Sequence, residues 1–439
     1  MFSKVLRNGL SSMRRTYSTV IIGGSVVGSS VAYHLAMAGV KDIAVVERDP
    51  CYKMASAVLS AGGIRQQFSL PENIELSMYG IGMIKNPGIL AVDDHEPCFQ
   101  FRENGYLFLA SEKGKDILIE NNRTQHNCGA DWIKIMKPEE LKKKFPWLNL
   151  DGVALGSYGQ KNEGYFDPWS LLSALKAKSI ALGVEYIKGE ACDFHITQCE
   201  EGKPTIDSAV VREVTPCGST MKDISGENFI NCAGAWSASV ISAIAAKSLN
   251  PDAIFKLPVE RRKRAVFSIL AGVSSPEEPD RILPENSPLT IDPNGVYFRS
   301  ESNRAGKYIC GVSPEEENDG PSYLDTDLQC TDHHLFDDII WPTLYERVPA
   351  FDRLKVESFW SGFYDYNSFD ENMIIGNHPD IKNLIVCTGM SGHGLQQSPG
   401  AGRAVTELIT HGKFVTTDLS RFGFERIVDN KPLFEVGIV

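Results

Sequence analysis

The feature that most restricts the fold lies at residues 19–47. Thr19-Val20-Ile21-Ile22 is a short apolar run, suited to a buried parallel strand. It meets Gly23-Gly24-Ser25-Val26-Val27-Gly28, and Val27, Val31, Ala32 and Leu35 then recur at helical spacing. Gly39 ends that helix, and Ile43-Ala44-Val45-Val46 is a second apolar strand ending at Glu47. Strand, glycine turn, helix, strand and acid in that order predict a dinucleotide-binding unit. Gly23 permits the tight turn, Gly28 lets helix and strand pack closely, and the helix N-terminus offers free N–H groups to a diphosphate. Glu47 stands 19 residues after Gly28, where a carboxylate accepts ribose hydroxyls and disfavours a 2′-phosphate. One position departs from the pattern: Ser25 stands where a second glycine normally lets the phosphates approach.

A second glycine turn lies near the other end. Leu384–Cys387 is an apolar strand, followed by Thr388-Gly389-Met390-Ser391-Gly392-His393-Gly394 and a helix to His411. It predicts another helix N-terminus facing an anion. Between the two turns, Ser69-Leu70-Pro71-Glu72 reads as a capping box opening a helix to about Lys85. Asp167-Pro168 opens a helix ending near Gly183, and Phe229–Trp236 is a buried strand running into a small-residue turn. Gly295–Arg299 and Lys307–Gly311 read as strands, and acidic segments at 274–288 and 313–325 as surface loops.

Composition narrows the class. With 439 residues, 42% of them hydrophobic, the chain has room for two or three domains without disulfide staples. A net charge of −12 argues against a nucleic-acid partner, and no 18-residue apolar run suggests a membrane span. None of the ten cysteines forms CxxC, and His333-His334 has no further ligand nearby in sequence, so no metal site is expected. Residues 1–41 hold no Asp or Glu, while Lys4, Arg7, Arg14 and Arg15 sit beside a helical apolar face. That start reads as a mitochondrial transit peptide over 1–18 and predicts a matrix location.

Four longer stretches carry a resemblance: Gly62–Asn73, Phe166–Trp169, Ala233–Ser237 and Ser391–Gln397; Val348–Phe351 and Gly362–Asn367 add to it. On these the chain resembles the D-amino-acid oxidase/sarcosine oxidase superfamily of FAD enzymes, and within it a mitochondrial group implicated in assembly of respiratory complex I. The resemblance implies an α/β fold, with a Rossmann-like FAD-binding domain interleaved with a mixed-sheet substrate domain. The FAD domain would comprise 19–97, 165–250 and 360–425, the substrate domain 98–164 and 251–359, and a C-terminal tail 426–439.

The same resemblance implies FAD contacts from Gly23, Gly24, Ser25, Val27 and Gly28, from Glu47 and Arg48, and from Gly62, Gly63 and Arg65. Ala233, Gly234 and Trp236 would meet the adenosine half. Gly392, His393, Gly394, Leu395 and Gln396 would meet the flavin. Residues 50–70 contain no His and 358–366 no Cys, so the sites used for covalent attachment are absent and non-covalent FAD is expected. By the same resemblance, Gln396 replaces a lysine of the sarcosine oxidase pattern and would stabilise a flavin anion less than a cation does, and Ile309 stands where oxidases place an oxygen-activating lysine, which favours a dehydrogenase or a weak oxidase.

Catalytic candidates are Arg65 near the reactive edge of the flavin, Arg299 as a carboxylate clamp, Tyr364 in an amine pocket, and His393 as acid or base. Arg299 reads equally as a surface residue, Tyr364 as core packing and His393 as a turn residue. Arg261-Arg262-Lys263-Arg264 is a solvated strand end, or a contact for a protein partner or anionic lipid. Expected partners are a small amine or amino-acid substrate and complex I subunits or assembly factors, with a peripheral contact at the inner membrane. The alternative reading is a non-catalytic assembly factor with FAD as a structural ligand.

Overall fold

A computed structural model of the chain describes residues 15–199, 202–272, 283–301, 306–329 and 334–437. In chain order its strands are β1 (Thr16–Ile22), β2 (Ile43–Glu47), β3 (Gly63–Ile64), β4 (Tyr106–Ala110), β5 (Ile133–Met136), β6 (Leu155–Gly159), β7 (Gly164–Tyr165), β8 (Glu185–Lys188) and β9 (Glu190–Cys199). There follow β10 (Gly202–Thr215), β11 (Gly218–Asn231), β12 (Val259–Ala271), β13 (Leu289–Ile291), β14 (Tyr297–Ser300), β15 (Lys307–Gly311), β16 (Leu354–Asn367), β17 (Ile374–Asn377) and β18 (Leu384–Thr388). Four helices position the site: α1 (Val26–Met37), α2 (Pro71–Lys85), α3 (Pro168–Ala181) and α4 (Gly394–His411).

Two sheets divide the strands. The first has the order β17-β18-β11-β1-β2-β8, with β10 and β9 extending from β11. Its central strands β18, β11, β1, β2 and β8 are parallel. From β1 the chain steps one way to β2 and β8, and later the other way to β11 and β18. The C-terminal ends of β1 and β11 therefore flank a topological switch point, where open α/β sheets place their ligands. The second sheet has the order β16-β12-β15-β14-β13-β4-β6-β5 and is mixed. A two-stranded ladder, β3 with β7, lies outside both.

The apolar runs account for the core. Val20, Ile21, Ala44, Val45, Phe229, Ile230 and Val386 are all buried, giving both faces of the first sheet something to pack against. α1 is buried on nearly every side, as expected of a helix enclosed between other elements. Fully burying such side chains contributes ~1.5–3 kcal/mol each, so the small mismatches of individual caps do not decide the fold.

Several expectations shift. The leader residues 1–14 lie outside the described residues. β1 begins at Thr16, three positions before the start read from the sequence: Tyr17 is buried and its hydroxyl donates to Glu185 at 2.8 Å. β16 runs through the boundary placed at 360 and pairs with β12 as far as Val259↔Asn367, so its whole length belongs to the second sheet. α2 ends at Lys85, but the Ser69–Glu72 capping box does not form. Glu435, from the segment read as a tail, accepts the N–H of Ser69 at 2.6 Å, that of Leu70 at 3.3 Å and the amide of Asn73 at 2.6 Å. Glu72 instead pairs with Arg421. Distant charge replaced the local cap because a carboxylate at a helix start also meets the helix dipole. Among the described residues no helix is long and apolar enough to cross a membrane, and no cluster suits a metal.

Candidate functional site

A cavity of ≈ 350 Å³ opens at the switch point. That is within the usual range for a small-molecule site, ~300–1,000 Å³. Its floor is the first glycine turn. Gly23 has φ of +94°, and its N–H donates to the Val46 carbonyl at 2.9 Å. Ser25, Val26 and Val27 line the cavity at the start of α1, where no side chain caps the helix and no acid occupies the first turn. The Ser25 hydroxyl forms no cap bond of its own. The N–H groups of that turn thus face the cavity without side-chain acceptors, a donor set suited to a diphosphate. Gly24 and Gly28 lie behind this wall and shape it.

Glu47 ends β2 at the cavity edge. Its Oε2 accepts the Gly24 N–H and its Oε1 the Asp49 N–H, both at 2.8 Å. Burial pushes its pKa up against these two bonds. Each oxygen keeps a second acceptor position for a hydroxyl. Ala233, Gly234 and Trp236 line the opposite wall at the end of β11. The Arg48 guanidinium lies 3.9 Å from the centre of the Trp236 ring, closing that end with a flat stacked pair.

Asp325 covers the pair. It accepts the Trp236 indole N–H and Arg261 Nη1, each at 3.0 Å, and Arg48 Nη1 at 3.3 Å. The basic run of β12 is therefore turned inward rather than solvated or offered to a partner or lipid. Arg264 grips Asp319 through two bonds of 2.6 and 2.8 Å, Arg262 pairs with Glu260, and the Lys263 ammonium donates to the Asp327 carbonyl at 3.4 Å. The acidic segment read as a loop is the counterpart of the basic run, a pairing hidden by separations of 55 to 64 residues.

The second glycine turn forms the far end. Gly392, Gly394 and Leu395 line the cavity at the start of α4, which again has no side-chain cap. Gly392 has φ of +94°, and a Cβ there would come within 2.5 Å of the Tyr364 ring, so that ring lies flush on the turn. Tyr364 and Asp365, from β16, also line the cavity. Asp365 Oδ2 accepts the Met390 N–H at 2.9 Å, and its carbonyl accepts the Ser391 N–H at 3.2 Å.

Arg65 lies one contact behind this end, at the close of β3. It is buried; its Nη1 donates to the Tyr106 hydroxyl at 3.0 Å and its Nη2 to His393 Nε2 at 3.3 Å. Burial, with the adjacent guanidinium, pushes the His393 pKa down to about 3. The imidazole is neutral and carries its proton on Nδ1, because Nε2 is the acceptor. Gln396 faces away from the cavity: its Oε1 accepts the Arg65 N–H at 2.8 Å and the Ser77 hydroxyl at 3.1 Å, tying α4 to β3 and α2. Gly62 and Gly63 sit in the same β3 joint. Arg299 is buried rather than on a surface edge; its guanidinium donates to the Ala61 carbonyl at 2.9 Å and stacks 3.9 Å from the Tyr165 ring centre. Burial lowers its pKa. It braces the loop before β3.

Three acids were not read from the sequence as site residues. Asp365 stood inside a quoted motif, but nothing marked it from its neighbours. Asp325 carried no local signal. Glu163, fully buried, accepts the Gln66 N–H at 2.8 Å and the Gln67 amide at 2.7 Å, directly after Arg65. Burial pushes its pKa up to about 8.

With this geometry in place, comparison with known proteins is specific. A model of the family described as FAD dependent oxidoreductase matches residues 18–408. The chain is 44% identical over 434 residues to FAD-dependent oxidoreductase domain-containing protein 1 of Xenopus laevis, covering 96% of this chain and 84% of that protein. It is 25% identical over 425 residues to the mitochondrial dimethylglycine dehydrogenase of Mus musculus, covering 92% of this chain and 44% of that one. The solved structure of L-proline dehydrogenase from P. horikoshii matches with a TM-score of 0.76 at 23% identity, covering 96% of this chain and 100% of the other, a likeness of fold.

Proposed function

The chain belongs to the FAD dependent oxidoreductase family, and from that premise we propose that it oxidises a C–N bond of a small amine or N-methyl amino acid. The observation that supports this most is the cavity itself, bounded at both ends by an uncapped helix start on a glycine turn. FAD, when bound non-covalently, supplies the acceptor for a hydride. The residues of the chain would do the rest. The start of α1 would hold the diphosphate, Glu47 the ribose hydroxyls, and the Arg48–Trp236 stack the adenosine end. The start of α4 would direct its N–H groups at developing negative charge, a favourable field for a reduced ring system. Arg65 would hold the substrate carboxylate at the reacting face, oriented by neutral His393 and Tyr106.

A dehydrogenase is favoured over an oxidase because Ile309 stands where an oxidase would place an oxygen-activating lysine. The dimethylglycine dehydrogenase likeness supports an N-methyl amino acid as the class to test first. The acid-free basic start supports a mitochondrial matrix address. A second reading, a complex I assembly factor using FAD as a structural ligand, draws on Ser25 and Gln396. Ser25 puts a side chain where the pattern has a glycine, and Gln396 spends its carbonyl on Arg65 and Ser77.

One experiment separates the two. The purified chain, loaded with FAD, is mixed anaerobically with a panel of N-methyl amino acids while its visible spectrum is recorded. Bleaching is the expected result. A bound flavin that no panel member bleaches, with respiratory subunits co-purifying, would replace the enzyme reading with the assembly one. A chain that takes up no FAD would sink both. Arg65→Ala is expected to retain flavin and lose bleaching by roughly two to three orders of magnitude in rate, the scale of losing a single charge-stabilising donor. Loss of flavin from this variant would show that Arg65 builds the cofactor site instead.

A further inference from the structure

Asp365 is the one acidic side chain at the far end of the cavity wall among the described residues, and it holds the second glycine turn by hand. Oδ2 takes the Met390 N–H, while the carbonyls and N–H groups of residues 365–367 lace the same turn: Ser391 N–H to the Asp365 carbonyl at 3.2 Å, and Asn367 N–H to the Ser391 hydroxyl at 2.9 Å. The carboxyl is thus both a staple and a charge facing whatever anion the cavity receives. Resting on the FAD reading, we propose that Asp365 is a positioning residue whose protonation state sets how tightly the cavity holds the dinucleotide.

The groups that offset a charge on Asp365 are N–H groups of its own strand and of the turn, with the Thr388 hydroxyl, and not a cation dedicated to it. Arg261 stands directly opposite it on β12, but its guanidinium is committed to Asp325 and the Tyr323 carbonyl. Tyr364 projects from the adjacent position and stacks on Gly392, with Arg264 5.1 Å from its ring centre. Cys387 of β18 and Cys232 at the end of β11 are both buried, and the hydrogen bond between them, with burial, pushes the Cys387 thiol up. His393, two residues past Ser391, is neutral and bonded to Arg65. Burial, opposed by the N–H groups of the turn, pushes the Asp365 carboxyl up to about 6.

The sign follows from linkage. Below that value the Asp365 carboxyl is neutral and the far end of the cavity sets no acidic charge against the anionic dinucleotide. Above it a carboxylate shares the cavity with the diphosphate, and affinity falls. Conversely, bound dinucleotide raises the Asp365 pKa, so binding near neutrality takes up a proton.

The test measures the FAD dissociation constant of the apoprotein by quenching of flavin fluorescence from about pH 5 to about pH 8. For the wild type a roughly three- to tenfold weakening is expected across that range, the size of one like charge at moderate distance in a partly hydrated cavity. In Asp365→Asn the amide oxygen still accepts the Met390 N–H, so the turn is kept and the pH profile should flatten. Proton uptake on binding in weak buffer near pH 6.5 should vanish with it. Asp365→Ala, which removes the staple, should bind FAD more weakly at every pH. An Asp365→Asn profile that still bends like the wild type overturns the proposal and leaves a purely structural residue. Should that variant not fold, a flat wild-type profile overturns it equally. A wild type that binds no FAD at any pH withdraws the flavin reading itself, and is thereby distinguished from failure of this inference alone.

Discussion

Gly28→Ala is expected to weaken FAD binding roughly ten- to a hundredfold, measured by flavin titration of the purified variant. The reason is a backbone contact that no rotamer relieves. A Cβ on Gly28 would stand 1.9 Å from the Gly23 carbonyl oxygen and 3.3 Å from the Ile21 side chain. The carbonyl belongs to the tight turn itself, so α1 must move away from β1 or the turn must open. Overpacking of this kind costs ~1–3 kcal/mol even where side chains yield, which corresponds to that range of affinity. Either movement shifts the first-turn N–H groups away from the diphosphate position. Far-ultraviolet circular dichroism should change little, since α1 remains enclosed between the first sheet and other helices. Gly39→Ala is the control: Gly39 ends α1 in open space with φ of +87°, and a Cβ there meets nothing within 4 Å. It should lose a fraction of helix stability and no FAD affinity. Equal affinity in Gly28→Ala and wild type would show that the turn does not carry the diphosphate.

The same contrast explains what the sequence disclosed. The first turn was legible because all of its parts are local: apolar strand, glycines, helix period and terminal acid fall within 29 residues and each has one physical reason. The second turn was legible for the same cause. What stayed hidden depends on pairing across long separations. Arg48 is 277 residues from Asp325, and Glu435 binds the N–H of Ser69, 366 residues earlier, just before α2. Ser69 and Glu72 carried a sound local signal that a stronger distant carboxylate overrode. The basic run at 261–264 looked solvated because its counter-charges, Asp319 and Asp325, sit in a segment whose acidity read as a loop. Arg299 was ambiguous by type, and only burial against Tyr165 and the Ala61 carbonyl decided its role. The family resemblance supplied the interleaving of two sheets, but not that β16 belongs wholly to the second.

The largest loss of stability is expected at Arg426, a residue the sequence reading assigned to the tail. Arg426 and Asp370 form a buried ion pair, 6% and 0% exposed, with Nε and Nη2 on the two carboxylate oxygens at 2.6 and 3.0 Å. The remaining guanidinium hydrogens are spent on carbonyls: Phe422 and Gly423 on one side, Asn372 and Met373 on the other. Asp370 in turn accepts the Asn367 amide at 2.8 Å and the Leu433 N–H at 3.1 Å. This hub fastens the end of β16, the start of β17 and the C-terminal segment together, directly behind the Asn367–Ser391 bond that supports the second glycine turn. Arg426→Met keeps a comparable length of apolar stem while leaving Asp370 buried without its cation and taking the guanidinium donor from four carbonyls, of which that of Asn372 keeps the Asn367 amide. Removing one partner of a buried pair costs about 3–5 kcal/mol, a large share of the stability of an ordinary domain. Urea unfolding followed by tryptophan fluorescence should show the midpoint falling with little change in slope. The double variant Arg426→Met, Asp370→Asn should recover part of the loss, because the uncompensated charge goes while the orphaned carbonyls remain. If the single variant unfolds like the wild type, the hub is a bystander and the C-terminal segment is held by its apolar contacts. If it is destabilised yet binds FAD with unchanged affinity once folded, the hub supports the fold and not the turn. The bond through Asn367 makes a coupled loss the expected result.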